Sequence, residues 1–228
     1  MKVKFGAIVT DGRGKIGGHV MSKNKGGSYM RTKKSPANPK SSYQQTVRAR
    51  LTSNAQGWRG LTAAQIVLWN TAAKLWYKHN VFGDKRNPNG FNLYLWLSNN
   101  LSNIGAALLT IPPVAAAVGM FTSVSVTMAN GTPACSIVFA PAIDANSCVI
   151  IRATPGISRG KTYIKNQLRQ IGIMVTANTT PFNALTMYTG KYGAIPAVGS
   201  TVFFTGTWVN KTTGQAGQTV PFQVTIAS

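Results

Sequence analysis

Acid and base chemistry in this chain would have to come from five residues, the carboxylates Asp11, Asp84 and Asp144 and the imidazoles His19 and His79. His19 with Asp11, or His79 with Asp84, could supply two members of a catalytic triad to one of the many serines. A histidine and an aspartate spaced along a loop are more often a solvated pair, however, and with no glutamate anywhere the chain has almost nothing from which to build a carboxylate metal cage. Asp11-Gly-Arg-Gly-Lys-Ile-Gly-Gly18 could present backbone N–H groups to a phosphate, but a phosphate loop needs Gly-Lys-Ser/Thr after its second glycine and a long helix behind it. Gly12-Arg13-Gly14 lacks the proline that stiffens minor-groove hooks. Cys135 and Cys148 have no metal-ligand spacing and read as small buried apolar residues. The expectation is a protein that is not an enzyme, with no catalytic residue, no cofactor and no metal.

The abundant chemistry is cationic. Among 228 residues, 24 Lys and Arg face 3 Asp, a formal net charge of +21, while 44% hydrophobic content argues against wholesale disorder. The first fifty residues hold half of the cations: Lys2, Lys4, Arg13, Lys15, Lys23, Lys25, Arg31, Lys33, Lys34, Lys40, Arg48 and Arg50. Arg59, Lys74, Lys78, Lys85 and Arg86 follow, and then residues 91–151 contain none. Cations so concentrated repel one another, which points to a compensating charge from another molecule: nucleic acid or an acidic protein surface. A membrane is not expected, because the segment lacks an amphipathic anchor helix. The apolar stretch from Ile104 to Met120 is broken by Pro112-Pro113 and is short of a bilayer span. The five-residue apolar run near Met1 is short of a signal-peptide core, so export is not indicated.

The fold class these patterns predict is α+β and multidomain. Residues 1–40 read as an extended basic arm with short β-hairpins, marked by β-prone runs over Val3–Val9, His19–Met21 and Ser28–Thr32 and by turn signals at Asp11-Gly12 and Gly26-Gly27. Gly17, Gly18, Gly26 and Gly27 would let a partner's surface approach the backbone closely. Ser35-Pro-Ala-Asn-Pro39 is an extended spacer. Residues 41–111 form a helical segment. Tyr43, Val47, Leu51, Ala55 and Trp58 make the apolar stripe of a first helix that stops at Gly60. Thr62 and Gln65 form a capping box for a second, with Leu61 packing on Ile66 and a stripe through Trp69, Ala73 and Trp76. So short a connection predicts an antiparallel hairpin that traps the tryptophans between its helices. Their helical spacing fits a core better than stacking on bases. A polar loop over 79–90 precedes a third helix over 91–103, apolar nearly all round and so buried on more than one side. Residues 112–119 are a Pro/Ala linker, and 120–228 carry six or seven strands suited to an immunoglobulin-like β-sandwich.

One stretch also carries a likeness. Gly14-Lys-Ile-Gly-Gly-His-Val-Met-Ser-Lys-Asn-Lys-Gly-Gly-Ser-Tyr-Met-Arg-Thr32, Pro36-Ala-Asn-Pro39, Gln44-Gln-Thr-Val-Arg48, Gln56-Gly-Trp-Arg59, Leu61-Thr-Ala-Ala-Gln65 and Gly90-Phe-Asn-Leu-Tyr94 together resemble a family of small basic proteins of tailed bacteriophages, including crAss-like phages. The resemblance implies a capsid-associated or head-associated virion component, made in the host bacterial cytoplasm. It carries over no enzymatic residue. The expected role is an auxiliary or decoration protein, present as a homo-oligomer or in many copies. Its basic arm would anchor it to the major capsid protein or another acidic virion protein. The alternatives are a DNA-binding protein packaged in the head and a ring or adaptor component at the head-to-tail junction.

Overall fold

The computed structural model describes residues 1–6, 11–35, 37–158, 160–161 and 163–228, with all of their side chains except that of Lys78. The chain is mixed α+β, with four helices and antiparallel sheets among the described residues. It divides into two compact units: Met1–Leu95 with Thr110–Pro112, and Trp96–Leu109 with Pro113–Ser228.

In the first unit the glycine-rich segment holds β1 (Gly14–Ile16), β2 (His19–Asn24) and β3 (Gly27–Thr32), an antiparallel meander in that order. Its tight turns need left-handed backbone, which Gly17 (φ 51°) and Gly27 (φ 102°) supply without a Cβ clash. The hairpins expected here are therefore present, but the segment is also tied down by its own chain. The Met30 amide donates to the Met1 carbonyl at 2.8 Å and the Val3 amide to that of Ser28 at 3.0 Å, so the first residues run beside β3. Of the β-prone run 3–9, residues 7–9 lie outside the described residues, as does Pro36 of the predicted spacer. Asp11-Gly12 closes no hairpin among the described residues; it leads into β1.

Helix α1 spans Ser42–Arg59, its N-cap Ser41 accepting from the Gln44 amide at 3.4 Å and its end at Gly60. Helix α2 spans Ala63–Ala72 and has the predicted capping box, Gln65 N–H to Thr62 Oγ1 at 3.3 Å and Thr62 N–H to Gln65 Oε1 at 2.8 Å. It ends before the predicted stripe does. Asn87 donates its side-chain amide to the carbonyls of Ala73 and Lys74, satisfying groups a longer helix would have used itself. Strands β4 (Lys78–His79) and β5 (Lys85–Arg86) pair as a ribbon inside the predicted loop, and α3 follows over Gly90–Ile104. Nearly every residue of α3 is buried or half-buried, as its all-round apolar pattern predicts.

The α1 stripe departs from expectation. Tyr43, Val47 and Leu51 are 60%, 43% and 46% exposed, while only the C-terminal end of that face is engaged, through buried Asn54 and through Trp58. The reason is that the expected antiparallel hairpin does not form: α1 and α2 do not pack side by side along their lengths, so α2 leaves this row open. The tryptophans, rather than being trapped between the two helices, meet α3: Trp58 and Trp69 both contact Tyr94, at 5.4 and 5.3 Å between ring centroids.

The second unit contains β6 (Ser123–Ala129), β7 (Ala134–Ala140), β8 (Ser147–Ala153), β9 (Arg169–Met174), β10 (Phe182–Asn183), α4 (Leu185–Tyr192), β11 (Thr201–Asn210) and β12 (Ala216–Thr225). One sheet has the order β10-β7-β6 and the other β12-β11-β8-β9, all antiparallel. Alternate residues of both sheets meet in one cluster that includes Val126, Ile137, Phe139, Ile151, Met174, Phe204 and Trp208. The seven strands among the described residues agree with the six or seven expected; α4 was not expected. Helix α4 has no side-chain cap, and tertiary bonds hold it: Tyr188 Oη donates to the Thr154 carbonyl at 3.1 Å and Tyr192 Oη to that of Ala153 at 2.7 Å. Cys135 and Cys148 are buried free thiols, the first pushed up to about 12 by desolvation.

Candidate anion-binding surface

The meander's register decides which cations share a face. Opposed residues of antiparallel strands lie on one side, so Lys15, Val20 and Arg31 form a row across β1, β2 and β3. The Lys2 to Tyr29 bridge, with Ser22 opposite Tyr29, adds a second row on the same side. This face is cationic around a half-buried tyrosine. The opposite side carries Met21 and Met30, with Phe5 within van der Waals reach of the Met21 side of Gly12. The two sides differ in charge density: Lys2, Lys15 and Arg31 share the first, while the second mixes Met21, Met30 and Ile16 with His19, Thr32 and Lys23.

Two of the chain's three carboxylates lie in this unit and dress part of the charge. Asp11 sits 3.4 Å from Arg13 Nε and 3.8 Å from Lys23 Nζ, and Asp84 sits 3.4 Å from Lys4 Nζ and 3.9 Å from Arg86 Nη2. A little of the N-terminal charge is thus offset within the chain, without being neutralised. The offset is small, since 17 cations in the unit meet 2 carboxylates, a net +15, and exposed pairs contribute little. Asp84 is held below the usual carboxylate range, first by the Asn80 side-chain amide at 2.9 Å and then by Lys4 and Arg86. Asn80 in turn accepts from the Phe82 and Asp84 amides at 2.8 and 3.0 Å, which fixes the ribbon's turn.

The predicted contact residues separate into groups. Lys2 donates to the Gly26 carbonyl at 3.1 Å, Lys4 and Arg13 pair as above, and Arg48 donates to Asn38 Oδ1 at 2.9 Å. Lys15, Lys25, Arg31, Lys33, Lys34 and Lys40 have exposed side chains and no carboxylate partner among the described residues. Arg50 lies on α1, away in sequence from the sheet. The glycines also divide. Space at Gly17 and Gly18 is open to any approaching surface. Gly26 and Gly27 are already approached by their own chain, through Lys2 Nζ and Arg86 Nη2.

Sequence reasoning missed Arg86, which donates to the Lys25 carbonyl at 3.3 Å and brings the β4–β5 ribbon beside the β2–β3 turn. It also missed Lys4 over the Phe82 ring, at 5.1 Å. A Lys-Arg pair six residues after a histidine-asparagine turn was the signal available for the ribbon, but nothing local says which turn it meets. The two His/Asp pairs do not assemble: neither histidine bonds a carboxylate among the described residues, and His79 instead lies edge-on to Tyr77 at 5.5 Å. No cluster of three metal-ligating side chains occurs among the described residues, and no helix among them is long and apolar enough to cross a membrane. No family model, curated protein or solved structure matches the chain.

Proposed function

We propose that this is a non-enzymatic structural protein of a bacteriophage particle, an auxiliary or decoration protein that its basic N-terminal unit anchors to an acidic protein of the capsid shell. Charge segregation carries the reading. The N-terminal unit holds +15 and the C-terminal unit +6, seven cations against Asp144, and the cationic face of β1–β3 is left without carboxylate partners. The basic segment acts as a short folded grip rather than as loose chain, which lowers the ordering cost of attachment. Residues 120–228 serve as an immunoglobulin-like sandwich. Lettering the strands A to G in chain order gives A-B-E in one sheet and G-F-C in the other, with β9 beside C as in variable-type domains. The test replaces Lys15, Arg31, Lys33 and Lys34 by glutamine and counts copies per purified particle by mass spectrometry. At least a tenfold loss is expected, and unchanged incorporation overturns the reading.

A second reading, a DNA-binding protein inside the head, is favoured by one observation: Tyr29 lies among Lys2, Lys15 and Arg31 on a sheet face, an arrangement that suits phosphates and a stacked base. Micromolar binding to random duplex at physiological salt, falling steeply as salt rises, supports it.

A further inference from the structure

The N-terminal two thirds of α1 present an apolar row that the fold does not use. Tyr43, Val47 and Leu51 recur at four-residue steps and span an arc of about 80°. All three are exposed, yet Trp58 lies in the same arc and is docked on Phe91 and Tyr94, at 5.6 and 5.4 Å between rings. One continuous face is therefore packed at one end and open at the other. A helical overhang of that length gains little stability alone, because short helices are marginal without a packed face.

We propose that this row is a docking surface for an apolar-striped helix of an acidic partner protein. The inference rests on the acidic-partner reading above and names the element that would read the partner. Charge selects the occupant. Helix α1 carries Arg48, Arg50 and Arg59 and no carboxylate, with Lys40 just before it, so glutamates or aspartates flanking the incoming row would find complementary charge. A second copy of this chain would set +15 against +15. Nucleic acid has no use for valine and leucine, and three modest apolar side chains are too few to hold the helix on a lipid surface. Ridge-and-groove packing of one helix on another suits side chains spaced by four.

The test uses the full chain and three designed 21-residue helical peptides, read by fluorescence anisotropy. The first has a leucine row flanked by glutamates, the second replaces its leucines by serine, and the third replaces its glutamates by lysine. The first is expected to bind, and the other two at least tenfold more weakly. Tyr43→Ser/Val47→Ser/Leu51→Ser in the chain is expected to weaken the first peptide at least tenfold, with circular dichroism and melting temperature unchanged. Equal binding of the leucine and serine peptides overturns the docking surface while leaving an acidic partner in place. Equal binding of the glutamate and lysine peptides overturns the acidic requirement itself. Self-association in sedimentation velocity, or binding to anionic phosphatidylglycerol vesicles, that the triple substitution abolishes assigns the row to another occupant and overturns the proposal.

Discussion

The two units handle apolar surface differently. In the C-terminal unit, two sheets turn alternate residues onto a shared cluster that includes Ile137, Ile151, Val202, Phe204 and Trp208, all at 1% exposure or less. Among the described residues of the N-terminal unit the fully buried large side chains reduce to Trp69, Leu93 and Tyr94, while Tyr43, Leu75, Tyr77 and Val81 are more than half exposed. Burial of apolar surface is the main favourable term in folding, so stability is concentrated where charge is sparse. The cationic unit instead leaves several large apolar side chains on its surface.

The sharpest way to break this contrast is to truncate one apolar side chain in each unit. Phe204→Ala removes a fully buried ring stacked on Phe222 at 5.5 Å, and is expected to cost about 3–5 kcal/mol in urea denaturation. Leu51→Ala on the open face of α1 is expected to change stability by less than about 0.5 kcal/mol. Comparable losses would mean that the α1 row is a core element after all. Gly206→Ala probes packing in the opposite sense. Its new Cβ would press against the Phe121 ring, so overpacking is expected to cost about 1–3 kcal/mol by the same measurement. Smaller again is the capping box, where Thr62→Ala should cost about 1 kcal/mol and Thr62→Ser should recover most of it.

Local rules reached much of this fold. The capping box at Thr62, the stop at Gly60 and the strand-rich character of residues 120–228 are set by residues within a few positions of one another, and each was legible. Helix α4 was not, because Leu-Thr-Met-Tyr-Thr-Gly-Lys-Tyr has a weak helical pattern and Ala184 at its N-cap offers no side-chain acceptor; the Leu185 amide donates instead to Asn183 Oδ1 at 3.0 Å, and hydroxyl bonds to Thr154 and Ala153, distant in sequence, secure the helix. The α1 stripe was read as a stripe, but period says only that a face is apolar, and whether it is covered depends on where the neighbouring helix is placed. For the candidate site, composition identified the cations. Which of them share a face required the β1–β3 register, and a one-residue slip would have exchanged Arg31 for Met30.

The smallest effect concerns how the cationic unit arranges its few carboxylates. Asp84 is partly exposed, and its pKa is lowered chiefly by the Asn80 amide, with Lys4 and Arg86 following. A depressed folded value means the contribution is complete above the ordinary carboxylate value of 3.8 and is lost as pH falls through the lower native value. Little of acid denaturation should therefore trace to this group, and what does should appear below that pH. Nuclear magnetic resonance titration of the Asp84 carboxyl separates the causes. Asn80→Ala should move its midpoint upward more than Lys4→Gln does, and 1 M salt should move it only partway, because salt screens charge pairs and spares the amide bond. A larger shift with Lys4→Gln would show that charge rather than hydrogen-bond geometry shapes this turn, and the ribbon would then belong to the cationic face it adjoins.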